Sequence, residues 1–425
     1  MYKSVYLKKG KEESLRRFHP WVFSGAIARM DDGLEEGDVV RVIGFDGSFL
    51  GVGHVQVGSI AVRILSFHDV AIDDDFWQSR LAAAWQVRQS IGIYRTEEAS
   101  FGGEHFGQGA NTTYRLVHGE GDNLPGLVID CYGKTAVMQA HSVGMHVSRM
   151  AIAKALKEVM GDRLEHVYYK SETTLPFKAN LGQENEFILG GPTDEDLTTE
   201  NGLRFHVDWL RGQKTGFFVD QRENRALLEH YAKGRTVLNM FCYTGGFSVY
   251  AMRGGASQVH SVDSSAKAVE LTNANVALNF PPEDHRHEAF CEDAFKYLDS
   301  HDDKYDLIIL DPPALAKHRG ALRNALKGYT RLNVKGFQRI RKGGILFTFS
   351  CSQVVSKEHF RQAVFTAAAQ AGRSCKMWWR KLYRLWAMHS STSCTSPPTT
   401  PSTSTIPRAN ISRASSSTWS KDWSL

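Results

Sequence analysis

Thr236-Val237-Leu238-Asn239-Met240-Phe241-Cys242-Tyr243-Thr244-Gly245-Gly246-Phe247 is the stretch around which the rest of the chain arranges itself. Thr236, Val237 and Leu238 form a β-branched and aliphatic run that reads as a buried strand. A turn with two glycines ends it, and a helical pattern begins at 247–252. Strand, glycine turn and helix together bring backbone close to a nucleotide-like ligand, with helix N-terminal amides beside it. Most Gly-Gly pairs are only turns, so the residues that follow decide what this one does.

Downstream, strands alternate with helices. Strands read at 236–239, 258–263, 286–292, 305–310 and 344–350. Helices read at 247–253, 265–278, 294–298, around 322–340 and at 357–372. Near-continuous apolar strands in this rhythm predict an α/β fold with a parallel, doubly wound sheet and helices on both faces.

In such a sheet, ligands sit at the carboxyl ends of the strands. Asp263 ends the second strand, where a carboxylate can accept hydrogen bonds from ribose hydroxyls. Asp293 follows the third, where an acid beside a helix N-terminus can meet an adenine amine. Either acid alone reads as a helix N-cap; two at successive strand ends favour a cofactor site. The fourth strand drives Leu307-Ile308-Ile309-Leu310 into Asp311-Pro312-Pro313. The two prolines lack N–H groups, so carbonyl acceptors dominate a rigid rim suited to a planar base with an amino group. The fifth strand ends in Phe349-Ser350-Cys351-Ser352. A buried strand cysteine is usually inert packing, but at this lip Cys351 is a candidate nucleophile. A nicotinamide dehydrogenase shares the glycine turn and the ribose acid, yet the turn is not GxGxxG and Asp-Pro-Pro has no role there. A methyltransferase dependent on S-adenosyl-L-methionine uses every one of these features.

Upstream, 425 residues allow two or three domains, each with its own core. The chain is 42% hydrophobic and 23% charged, with a net charge of +5 that permits a polyanionic partner without requiring one. Six cysteines lack CxxC pairs and disulfide-framework spacing, which excludes a structural zinc site and fits a reducing, cytoplasmic compartment. No apolar run reaches the roughly 18–20 residues of a membrane span. Residues 1–72 read as a small β domain with strands at 5–7, 38–43, 51–56 and 60–66. Within it, Arg16, Arg17, His19 and Trp21 combine cations with aromatics. They form either a capped turn in a β core or a grip on phosphate and base. Residues 73–195 read as a small α+β domain with a loop at 95–113. Residues 196–374 hold the doubly wound sheet, and 375–425 a Ser/Thr/Pro-rich tail. Just before the opening strand, Gly212-Gln213-Lys214-Thr215-Gly216-Phe217-Phe218 reads either as a helix start with an aromatic anchor or as a flap over a cofactor.

The first domain resembles a PUA domain, a small β-barrel RNA-binding module of RNA-modifying enzymes. Lys214-Thr215-Gly216-Phe217-Phe218, residues 239–247, Asp311-Pro312-Pro313 and Ser350-Cys351-Ser352 resemble motifs of the bacterial large-subunit rRNA cytosine-5 methyltransferases. Those enzymes carry a PUA domain, a small central domain and a class I, Rossmann-like methyltransferase domain. The likeness runs from residue 1 to about residue 373. It implies S-adenosyl-L-methionine as cofactor, held by Thr215, Phe217, Asn239, Phe241, Tyr243, Gly245, Gly246, Asp263, Asp293 and Asp311. It implies 23S rRNA as partner, bound in part through Arg16, Arg17, His19 and Trp21. It allows a homodimer and calls for neither metal nor membrane. It also implies catalysis by Cys351 with Asp311 and Pro312: the thiolate adds to C6 of a cytosine so that C5 can take a methyl group. The cysteine that other RNA cytosine-5 methyltransferases carry beside the proline motif is absent from Asp-Pro-Pro-Ala-Leu-Ala-Lys at 311–317, so Cys351 is the one thiol available. Methylation of another base such as guanine, or RNA binding by an inactive enzyme, are the alternatives.

Such a domain should close with an antiparallel strand pair, where this chain turns to Ser, Thr and Pro. Permissible codons for 401–421, read from their third base, can encode a turn and strand like the family's ending. The expectation is therefore a frameshift near 374–377 and a sheet lacking its last two strands.

Overall fold

The computed structural model describes residues 2–96, 109–176, 181, 184–193, 196–302, 304–379 and 386–390. They fall into two compact units, Met1–Leu227 with Ala277–Pro281, and Leu228–Val276 with Pro282–Leu425.

The first unit opens with a six-stranded sheet. Its strands lie in the order Trp21–Phe23, Ile60–Ser66, Phe49–Val55, Val39–Ile43, Lys3–Leu7 and Ile27–Met30. Val5, Leu7, Val22, Val40, Val42, Val62 and Ile64 fill its core. At Gly53 a Cβ would lie 2.1 Å from the carbonyl oxygen of Arg63, so only glycine lets these two strands approach. A five-stranded sheet follows, ordered Glu186–Leu189, His166–Tyr169, Thr135–Ala140, Leu127–Tyr132 and Thr113–His118. Asp74–Ser90 and Arg149–Met160 are its main helices, and Trp77, Leu81 and Trp85 join Ile152 and Leu156 in its core. Two helices, Val143–Val147 and Arg149–Met160, meet at Ser148. Most of the loop expected at 95–113 lies outside the described residues.

Residues 196–227 lie in the first compact unit. Long-range polar contacts hold them there. Thr215 Oγ1 donates to Asp130 Oδ2 at 2.6 Å, and Thr112 N donates to the Thr199 carbonyl at 2.8 Å.

The second unit is built on a seven-stranded sheet. In chain order its elements are β1 (Thr236–Met240), α1 (Gly246–Arg253), β2 (Gln258–Asp263), α2 (Ala266–Asn279), β3 (His287–Cys291), α3 (Ala294–Ser300), β4 (Tyr305–Leu310), α4 (Leu322–Arg339), β5 (Ile340–Thr348), α5 (Lys357–Gln370), β6 (Cys375–Trp379) and β7 (Trp386–Ser390). The sheet order is β3-β2-β1-β4-β5-β7-β6, with β1 to β5 parallel. Val237, Leu238 and Met240 in β1 and Leu307 to Leu310 in β4 are all fully buried, as strands covered on both faces must be. The strand order reverses between β1 and β4, and that switch point opens a crevice at their carboxyl ends.

The end of the sheet corrects the expectation of two missing strands. β7 pairs antiparallel with β5, setting Trp386 opposite Thr348 and His389 opposite Ile345, and β6 pairs antiparallel with β7. The composition of the tail as a whole hid two short runs rich in strand formers, with Trp and Met at 377–379 and 386–388. The uncovered edge of β5 offers a row of N–H and C=O groups that such a run can pair. Residues 380–385 and 391–425, where the rest of the tail reading falls, lie outside the described residues.

Candidate active site at the carboxyl edge of the sheet

The turn after β1 is backbone under strain. Phe241 and Tyr243 adopt positive φ of 60° and 50°, a region L-residues seldom occupy, and Gly245 follows at 74°. A Cβ at Gly245 would lie 2.7 Å from the Thr272 side chain, so this position requires glycine twice over. The strain is held by neighbours. Tyr243 N donates to Asp263 Oδ2 at 3.1 Å, Cys242 N to the Val262 carbonyl at 3.1 Å, and Gly245 N to the Cys242 carbonyl at 2.8 Å. From α2, Thr272 Oγ1 donates to the Tyr243 carbonyl at 3.0 Å and Asn275 Nδ2 to the Thr244 carbonyl at 2.8 Å. Gly246 begins α1 directly after the turn.

Asp263 is half-buried at the end of β2 and is fixed from two sides, since its Oδ1 accepts from Ser265 N at 3.0 Å. Each oxygen retains acceptor capacity for a hydroxyl. Asp293 is exposed and caps α3, its Oδ1 accepting from Phe295 N at 2.9 Å and Lys296 N at 3.0 Å. Its Oδ2 has no partner among the described residues. The two acids thus stand at the ends of neighbouring strands beside the strained turn. A fixed carboxylate, a backbone turn held in the left-handed region and a second acid at a helix N-terminus suit an adenosine-bearing cofactor.

Asp311 is half-buried at the end of β4, Pro312 is buried and Pro313 is exposed. Cys351 is exposed, and its Sγ donates to the Pro312 carbonyl at 3.6 Å. The next residue anchors it. Ser352 is fully buried, and its Oγ accepts from Ala316 N at 3.1 Å and meets the Tyr329 hydroxyl of α4 at 2.9 Å. Phe349 N bonds the Leu310 carbonyl at 2.9 Å, and the Phe349 and Phe247 rings lie 5.8 Å apart, tying the end of β5 to β4 and to the start of α1. Cys242, in the cofactor turn, is different. It is buried against Thr272, and burial pushes its thiol up to about 12, which makes it packing and no nucleophile.

Some sequence-derived residues do other work. Asn239 is buried and donates through Nδ2 to Ser248 Oγ at 2.8 Å. Ser248 Oγ in turn meets Ser261 Oγ at 2.7 Å, and Ser261 meets His287 Nε2 at 2.8 Å. Asn239 therefore ties β1 to α1, β2 and β3. Thr215 and Phe217 lie in the first unit with their side chains buried. Thr215 Oγ1 donates to Asp130 Oδ2 at 2.6 Å and meets the Tyr132 hydroxyl at 2.9 Å, while Phe217 packs on Phe205 beneath Arg225. Tyr132 and Asp130 meet Thr215 from more than 80 residues away in the chain. Ser352, Ala316 and Tyr329 position the cysteine and were not singled out for that role. Tyr329 carries no local signal, because its partner lies 23 residues further on.

In the small β domain Arg16 and Arg17 are exposed, held to Asp46 at 2.9 Å and Glu13 at 3.3 Å. His19 Nδ1 accepts from Trp21 N at 3.2 Å, and the Trp21 indole donates to Glu120 at 2.8 Å. Arg63, which the sequence reading passed over, joins the same Glu120 oxygen at 2.9 Å and lies 5.7 Å from the Trp21 ring centroid. Among the described residues no group of His, Cys, Asp or Glu could hold a metal, and no helix is long and apolar enough to cross a membrane.

Comparison with known proteins agrees with this geometry. Residues 172–360 match the family described as S-adenosylmethionine-dependent methyltransferase, and residues 5–67 match the PUA-like domain. The ribosomal RNA large subunit methyltransferase I of Tolumonas auensis is 38% identical over 385 residues, 89% of this chain and 92% of that protein. The protein of that name from Alteromonas mediterranea is 36% identical over 382 residues, with the same coverage. A structure described as a SAM-dependent methyltransferase from Streptococcus mutans shares the fold with a TM-score of 0.70 at 21% identity, over 91% of this chain and 99% of that one. A methyltransferase solved in complex with SAH aligns over the same shares with a TM-score of 0.71 at 22% identity. The chain belongs to the ribosomal RNA large subunit methyltransferase I family, S-adenosylmethionine-dependent enzymes with a PUA-like domain ahead of a Rossmann-like methyltransferase domain.

Proposed function

We propose that the chain transfers a methyl group to C5 of a cytosine in 23S ribosomal RNA, in the cytoplasm, through a transient covalent bond from Cys351. The observation that carries this reading is the exposed thiol at the end of β5, 3.6 Å from the Pro312 carbonyl at the end of β4. Methylation of a purine nitrogen needs no thiol at that place.

When bound, S-adenosyl-L-methionine supplies an electrophilic methyl group. The turn at Phe241 to Gly245 would hold it with backbone, with Asp263 the acceptor for its ribose hydroxyls and Asp293 the acid for its adenine. The Cys351 thiolate forms a bond from Sγ to C6 of the cytosine, and the electron pair of the C5–C6 double bond becomes available at C5. Asp311 and the Pro312 and Pro313 carbonyls would hold the ring through its amino group, so that the C5 electron pair bonds the methyl carbon while the pair of the broken S–CH3 bond stays on sulfur and S-adenosyl-L-homocysteine is left. Loss of the C5 proton to a base then returns an electron pair to the ring. The Sγ–C6 bond breaks, and the thiolate is regenerated. Arg16 and Arg17 with the aromatics around His19 and Trp21 supply a second contact with the RNA.

Replacement Cys351→Ala, assayed on undermodified 23S rRNA with nucleoside mass analysis, should abolish 5-methylcytosine while leaving cofactor affinity within about twofold. Undiminished 5-methylcytosine would reject the covalent route, and a methylated purine would reject the base assignment.

A further inference from the structure

Between Pro312 and Lys357 the chain contains ten lysines and arginines and no aspartate or glutamate. The whole chain carries a net charge of +5, so this one segment holds more than the entire surplus, and the remainder is net acidic. Five of the ten, Arg323, Lys327, Arg331, Lys335 and Arg339, recur at every fourth residue along α4. Like charges four apart oppose one another on a helix, so a ridge of this kind destabilises α4 unless something neutralises it.

The C-terminal half of the ridge is neutralised within the fold. Lys335 pairs with Asp299, and Arg339 pairs with Asp302 at 2.8 Å while donating to the Leu298 carbonyl at 2.7 Å. Arg331 sits over the Phe295 ring at 4.4 Å. The N-terminal half is left bare. Lys317, Arg319, Arg323 and Lys327 are exposed, and none has a side-chain hydrogen bond or ion pair among the described residues. A surface lysine is ordinarily just solvated. Here four unpaired cations follow one another, and they begin six residues after Asp311.

The same helix is wired to the nucleophile. Tyr329, fully buried, reaches Ser352 at 2.9 Å beside Cys351. At 100° per residue, Arg323, Lys327 and Arg331 fall on the face opposite Tyr329. One face of α4 therefore sets the catalytic loop, and the other presents cations spaced about 6 Å apart along the axis, on the scale of a nucleotide step in an extended strand.

We infer that Lys317, Arg319, Arg323 and Lys327 form a phosphate track on which the RNA strand flanking the target nucleotide lies as the base enters the Asp311–Cys351 crevice. This inference rests on the proposed RNA substrate and adds where its backbone runs. Phosphate contacts position a strand without reading its sequence, so the track fixes register while base selection stays in the pocket.

The test is the double variant Arg323→Gln, Lys327→Gln in the full chain, compared with Lys134→Gln, Lys154→Gln. The latter removes the same charge from lysines already paired with Glu165 and Asp74. Binding of an undermodified 23S rRNA fragment is followed by fluorescence anisotropy across a salt series. Each lost contact with a single strand lowers the log–log salt slope by about 0.7, so the ridge variant should lose about 1.4 in slope. Its affinity should fall about tenfold or more at low salt, with cofactor affinity unchanged and the control pair near the original values. An unchanged slope and affinity in the ridge variant, with the unaltered chain binding, would overturn the track and leave the proposed function standing. Failure of the unaltered chain to bind rRNA would overturn both.

Discussion

The Sγ of Cys351 lies 3.6 Å from the carbonyl oxygen of Pro312, joining the end of β5 to the end of β4. Exposure separates this thiol from Cys131 and Cys242, and its partner separates it from the exposed Cys291, whose Sγ donates to the Ser264 carbonyl; the Cys351 partner belongs to the Asp-Pro-Pro loop that would hold a base. Cys242 and Cys131 are buried, and in both burial holds the thiol up at about 12. Brief treatment of the native protein with iodoacetamide at pH 8 should therefore modify Cys351 and the exposed Cys291, and leave Cys131 and Cys242 unmodified. Peptide mass mapping reads the pattern. Rapid modification of Cys242 would remove the argument that it is packing.

Ser352 is the second link in that arrangement. Tyr329→Phe removes one of its two partners, leaving the Ala316 N–H in place. Loss of one buried hydrogen bond should lower stability by about 1 kcal/mol. If Tyr329 positions the loop, kcat should also fall about tenfold with cofactor affinity unchanged, whereas a purely structural role would leave kcat intact below the melting transition. Steady-state kinetics beside a thermal melt separates the two.

That the acids at 263, 293 and 311 and the cysteine at 351 share one edge of the sheet was legible because each follows an apolar run, and a parallel sheet gathers strand ends on one edge. Asn239, Thr215 and Phe217 share the quoted motifs, yet their side chains answer to Ser248, Tyr132, Asp130 and Phe205. Thr215 meets Tyr132 and Asp130 from more than 80 residues away, so these partners could not be read from the motifs. The last two strands were hidden for another reason. A five-residue strand on a sheet edge is specified by the edge it meets as much as by its own residues. Averaged over a tail of serine, threonine and proline, its signal disappears.

The Glu200–Arg225 pair joins the hairpin of Leu197–Glu200 and Leu203–His206 to the helix Arg222–Ala232, with both side chains almost wholly buried. Removing one partner leaves the other charged in a site built for two. Arg225→Met should cost about 3–5 kcal/mol, and adding Glu200→Gln should recover a large part of it. Chemical denaturation of the two single variants and the double variant measures the coupling. An additive double variant would show that the two residues are independent.

His54 gives the first unit a pH dependence with a defined sign. Its ring is buried, stacks on Trp77 with centroids 6.3 Å apart, and has no partner for Nδ1 among the described residues. Burial alone pushes the imidazole down to about 4. The unfolded ring titrates at about 6.5, so between that pH and about 4 the unfolded chain takes up a proton that the folded chain refuses. The fold therefore loses stability as pH falls through this window, by about 3 kcal/mol from this residue at its lower end, and above the window the residue contributes no pH dependence. His54→Phe keeps an aromatic ring on Trp77 and removes the titration. The stability difference between variant and parent, followed by urea unfolding from pH 7.5 to pH 4.5, should shift steadily in favour of the variant as pH falls. A difference independent of pH would mean that His54 titrates alike in the folded and unfolded chain.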